Sequence, residues 1–96
     1  MELSIDHNLA GCRFQTRAEG HLAYLDYEYK GKTLTLVHTE VPETLAGKGV
    51  GSKLAKAALE FARKEGLQVI AECSFIASYI ARHPEYQPLL SDETPP

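Results

Sequence analysis

The stretch TLTLVHTEVPETLAGKGVGSKLAKAALEFARKEGLQVIAEC, Thr33–Cys73, changes hydrophobic period twice, and those changes decide the fold. In TLTLVHTEV, Leu34, Leu36, His38 and Glu40 alternate with Thr35, Val37, Thr39 and Val41, the period of two that a strand requires. Pro42, which has no N–H for a ladder, closes it. From Gly51 the period becomes nearly four: Val50, Leu54, Ala58, Phe61 and Ala62 make one apolar stripe. Glu60 and Lys64 on another face are spaced for an i,i+4 ion pair. Gly66 is the expected helix stop, and LQVIAEC reads as a short strand buried on both faces. A helical crossover returns the chain in the same direction, so this strand is expected parallel to TLTLVHTEV.

Upstream, GCRFQTRA and HLAYLDYEY are two further strands. In the second, Ala23, Leu25, Tyr27 and Tyr29 share a face, and the KGK of Lys30–Lys32 turns the chain into the next strand. Downstream, FIASYIARH is a second helix stopped near Pro84. The expected fold class is therefore α/β, with α and β elements in layers: an antiparallel meander joined to a parallel strand pair through a helical crossover. The expected organisation is one domain over residues 1–90, with a disordered polar tail over 91–96.

Ninety-six residues with 44% hydrophobic content can bury one core without metal or disulfides. The formal charge of −3 gives no global attraction for nucleic acid, so any anion site must be local. Cys12 and Cys73 form neither a metal-ligand spacing nor a disulfide framework. No cationic start precedes an apolar stretch and no segment approaches a membrane span, so a cytoplasmic protein with no membrane partner is expected.

The glycines of LAGKGVGS carry the chemistry. Gly47, Gly49 and Gly51 lie between a strand and a helix, where free backbone N–H groups and the positive helix end favour an anion. Lys48 and Lys53 stand nearby, and one glycine would satisfy a mere connection. A nucleoside-triphosphate loop is excluded because Gly47-Lys48 is followed by Gly49 rather than Ser or Thr. The dinucleotide pattern G-x-G-x-x-G is excluded because its third glycine would fall on Ser52.

The same residues resemble the pyrophosphate motif of the GNAT N-acetyltransferases, Q/R-x-x-G-x-G/A, laid onto Ala46, Gly47, Lys48, Gly49, Val50 and Gly51, with Ala46 where the motif has a long polar residue. HTEVP, the glycine turn and a late C-x-F, YI, HPEY series, in that order, resemble the very small YjdJ-type branch of that superfamily. The resemblance implies a minimal GNAT-like fold and acetyl-coenzyme A as co-substrate, with no metal. The acceptor it implies is a primary amine, on a small molecule or a protein.

It further implies a cofactor site of Gly47, Lys48, Gly49, Val50, Gly51 and Ser52 for the pyrophosphate, and of Thr39 and Val41 pairing through their backbone with the pantetheine arm. Candidate catalytic residues are Cys73, Tyr79, Glu40 and His38. Cys73 would sit beside the thioester, as an acetyl contact, a covalent carrier or a small packing residue. Tyr79 is either a proton donor to the departing thiolate or a core residue. Glu40 and His38 are either a proton relay from the amine or ordinary surface groups. Two other readings stay open: a non-catalytic acyl-coenzyme A adaptor, and a binder of another phosphorylated ligand.

Overall fold

The computed structural model describes residues 4–91, and the residues of the expected tail from 92 to 96 lie outside this range. A five-stranded sheet runs in chain order: β1 (Asp6–Asn8), β2 (Arg13–Ala18), β3 (His21–Lys30), β4 (Thr33–Glu40) and β5 (Gln68–Ala71). The first four strands are antiparallel neighbours and β5 joins β4 in parallel, from Thr33 opposite Gln68 to Leu36 opposite Ala71. Helix α1 (Val50–Glu65) makes the crossover between them, and α2 (Ser74–Arg82) follows β5. The meander, the crossover and the parallel pair stand as the sequence pattern implied.

Both helices cover one face of the sheet. Phe14, Ala23, Leu25, Tyr27, Leu34, Leu36, Val69 and Ala71 point to that face and are buried beneath Leu54, Ala58, Leu59, Ile76 and Ile80. A fully buried leucine contributes roughly 1.5–3 kcal/mol relative to exposure, so this seam of leucines is the main cohesive force. The opposite face is open and polar, and Arg13 there donates to Asp26 at 2.7 Å while its guanidinium lies 3.8 Å above the Tyr24 ring.

Four details depart from the sequence pattern. Strand β5 is buried on one face only: Val69 and Ala71 are inside, whereas Gln68 is exposed and Ile70 half-exposed on the open face. Its apolar run therefore marks a strand at the rim, where Ser91 N–H donates to Val69 O at 2.8 Å. Glu60 pairs with Arg63 at 2.6 Å instead of Lys64, and it also accepts a 2.6 Å hydrogen bond from the Tyr86 hydroxyl. Strand β1 has no counterpart in the sequence reading, and it is held by His7 stacked on Phe14 at 4.0 Å and hydrogen-bonded to Tyr27 Oη at 2.7 Å.

The fourth departure bears on function. Asp26 faces His38 across the β3–β4 ladder, but Tyr27 faces Leu36, so Val37 is an extra residue in β4. Such a bulge reverses which face the following side chains point to. The expected single face of Leu34, Leu36, His38 and Glu40 is thus broken: the leucines are buried under the helices, and His38 and Glu40 are exposed on the other side. Thr39, opposite the buried Leu25, turns instead to the helical face.

Candidate active site

Beyond Leu36 the two parallel strands part. Strand β5 ends at Ala71 while β4 continues to Glu40, so the β4 backbone from Val37 onward has no β5 partner in the ladder. The chain then passes a single 3-10 turn, Glu43–Leu45, and enters the glycine turn ahead of α1. Gly47 and Gly49 have φ of 79° and 75°, a left-handed conformation that costs an L-residue roughly 1–2 kcal/mol. Gly49 is the N-cap of α1 and contributes no side-chain cap. The N–H groups of Val50, Gly51 and Ser52, which an α-helix cannot satisfy internally, have no protein acceptor among the described residues. They and the helix dipole present a small positive end, worth about half a charge.

These donors line a cleft of about 420 Å³ whose other walls are Thr39 and Val41 from β4, Leu45, and Phe75 and Arg82 from α2. Gly51 has a different task from Gly49. It is already helical, and a Cβ there would meet Phe75 Cζ at 2.9 Å, so its missing side chain lets the aromatic wall of α2 close onto α1.

Cys73 is the N-cap of α2 and lies half-buried behind Thr39, with Sγ and Thr39 Oγ1 at 3.6 Å. Burial pushes its thiol pKa up, but the Ile76 N–H, the Thr39 hydroxyl, the Phe75 N–H and the Thr39 N–H all favour the thiolate, and the balance falls below the ordinary value. The sulfur closes no cap hydrogen bond of its own, so these N–H groups act on it as the positive head of α2. At the other end of the helix His83 stacks on Tyr79 at 3.9 Å and its Nδ1 meets the Tyr79 carbonyl at 2.8 Å.

A strand pair that diverges beside a glycine-capped helix narrows the choice of family, and comparison with known proteins decides it. Residues 13–89 match the model of the GCN5-related N-acetyl-transferases. The chain belongs to that family. Protein NATD1 of Xenopus tropicalis is 38% identical over 85 residues, spanning 85% of this chain and 78% of that protein. Human NATD1 is 38% identical over 85 residues, spanning 85% and 75%. The fold superposes with a TM-score of 0.73 on the solution NMR structure of a GCN5-like protein from Staphylococcus aureus, described as a candidate N-acetyltransferase. That protein is 33% identical, with 93% of this chain and 88% of that one covered.

Within this GCN5-related frame the expected site residues divide into four groups. Thr39, Val41, Gly47, Gly49, Val50, Gly51 and Ser52 line the one cleft, with Cys73 directly behind Thr39. Lys48 leans away and pairs with Glu19 in the β2–β3 turn. His38 and Glu40, 3.3 Å apart, stand on the open face of the sheet, across the strand from Thr39. Tyr79 is 4% exposed, and its pKa is raised by burial and by the charges of Glu85 and Glu60, with Arg82 opposing. It packs between His83 and Tyr86 and does not line the cleft.

Besides Leu45, two wall residues from α2, Phe75 and Arg82, escaped the sequence reading. Their spacing of seven, two turns of one helix, was the available signal. Among the described residues no cluster of three or more His, Cys, Asp or Glu is placed to hold a metal ion. No helix there is long and apolar enough to cross a membrane.

Proposed function

We propose that the chain binds acetyl-coenzyme A in the cleft between β4, the glycine turn and α2, and transfers the acetyl group to a primary amine. One observation carries this reading: the unsatisfied N–H groups at the head of α1 and the edge of β4 that has lost its β5 partner open into the same cleft. The residues fit the group. The N–H groups of Val50, Gly51 and Ser52 suit a diphosphate, the β4 backbone at Thr39 and Val41 suits an amide-bearing arm, and Leu45 and Phe75 supply apolar walls. The volume lies within the range of small-molecule sites, with the adenosine left outside.

The thioester then lies where β4 and β5 part, beside Thr39 and Cys73. The amine nitrogen attacks the thioester carbonyl carbon, the C–S bond breaks, and the proton shed by nitrogen ends on the coenzyme thiolate. Alignment at the strand ends is the chain's main contribution to this step. The head of α2, which favours negative charge at the Cys73 sulfur, also suits charge developing on the carbonyl oxygen. We assign the chain to the small YjdJ-type branch, on HTEVP, the glycine turn and HPEY together.

The test is a titration of acetyl-coenzyme A followed by amide NMR, paired with an amine-panel assay of thiol release. Binding should shift Thr39, Val41, Gly49 to Ser52 and Cys73 together. Shifts confined to the turn would point to another phosphorylated ligand. Binding without thiol release on any amine would leave an adaptor.

A further inference from the structure

We propose that Arg82 is the cationic arm of the diphosphate site and supplies, from the end of α2, the side-chain contact that Ala46 leaves out of the glycine turn. The inference rests on the coenzyme reading above. Arg82 borders the cleft together with Ala46, Gly49, Ser52 and Phe75. Its guanidinium has no hydrogen-bond or ion-pair partner among the described residues, whereas Arg13, Arg63 and Lys48 are each engaged by a carboxylate.

Charge makes the contact necessary. A diphosphate ester brings two negative charges, while the head of α1 offers about half a positive one. Lys48, the cation inside the turn, is neutralised by Glu19. Among the described residues Arg82 is then the free cation on the cleft wall, and its planar fork matches two phosphate oxygens at once.

Position selects the diphosphate over the thioester. Helix α2 begins at the Cys73 end of the cleft and its nine residues advance about 13 Å, at about 1.5 Å per residue, before Arg82. Phe75 and Arg82, seven residues apart, share one face of α2, so the guanidinium continues the wall that Phe75 begins against Gly51. Arg82 therefore stands at the end of α2 away from Cys73, on the same wall that Phe75 sets against the Gly51 end of α1.

Isothermal titration of coenzyme A and of 3′-dephospho-coenzyme A against wild type, Arg82→Gln and the double variant Arg82→Gln with Ala46→Arg tests this. Arg82→Gln should weaken both ligands by on the order of tenfold, the usual scale for losing a charge-assisted contact. Its circular dichroism and melting should be unchanged, because the side chain is exposed. The double variant should recover most of the loss, since an arginine at 46 restores the motif's own arm. Wild-type affinity in Arg82→Gln overturns the proposal, and so does a loss confined to coenzyme A, which would put the guanidinium on the 3′-phosphate. No recovery in the double variant rejects the exchange of one arm for the other. If wild type binds neither ligand, the coenzyme reading itself has failed, a result distinct from a binding wild type with an indifferent Arg82.

Discussion

Replacing Gly49 by alanine isolates backbone strain from every other effect at the site. Gly49 has φ of 75°, and a Cβ built on it has no atom within 4 Å, so alanine meets no steric obstacle. The cost is conformational: roughly 1–2 kcal/mol for an L-residue in the left-handed region, offset by several tenths from the reduced freedom of the unfolded chain. The net destabilisation is about 1 kcal/mol, which for a domain of this size lowers the melting temperature by about 4–8 °C. Asparagine, which tolerates the left-handed region, should lose about half as much. Urea and thermal unfolding of wild type, Gly49→Ala and Gly49→Asn measure the series. A melting temperature of Gly49→Ala at or above wild type, or asparagine as costly as alanine, would refute the reasoning.

Three further outcomes are expected. Burial lowers the His7 pKa, with Asp6 partly opposing, so the unfolded chain takes up the proton first; the stabilisation is complete above the ordinary value near about 6.5 and is lost as pH falls through the folded value. Between about pH 7 and pH 5, wild type should therefore lose more melting temperature than His7→Phe, and equal losses would contradict the sign. The Cys73 thiolate should form below the ordinary thiol value, and Thr39→Val should raise the midpoint of its alkylation-versus-pH curve; an unmoved midpoint would remove the Thr39 hydroxyl from the thiolate's support and leave only the backbone N–H groups. Because His38 and Glu40 stand on the open face, Glu40→Gln should keep coenzyme affinity within about twofold, and a tenfold loss by titration would place that carboxylate in the cleft.

What the sequence disclosed depended on how local the cause was. Helix α1, its Gly66 stop and the parallel return of β5 were legible because each follows from periodicity or chain connectivity within a few turns. Strand β1 was not, because Asp6–Asn8 is three polar residues whose anchor is a ring 7 positions away in sequence, Phe14, and another on β3, Tyr27. Glu60 likewise bonds Tyr86 through the chain segment after α2 that folds back on α1, and within α1 it takes Arg63, one turn on, in place of Lys64. The glycine turn was legible as the connection from strand to helix, but the division of labour within it was not. That Gly49 answers to φ and Gly51 to the Phe75 ring requires knowing where α2 lies.

The bulge at Val37 shows how an apparent failure of pattern has its own physical cause in the same residues. Had β4 kept strict alternation past Leu36, His38 and Glu40 would have continued the buried row of Leu34 and Leu36 under α2. An unpaired carboxylate there would cost several kcal/mol, and a bulge forfeits only local ladder pairing. The charged residues therefore favour the break, and the break in turn brings Thr39 to the helical face beside Cys73. Polarity on the open face and the geometry of the cleft are thus two results of one extra residue. Removing it would disturb both.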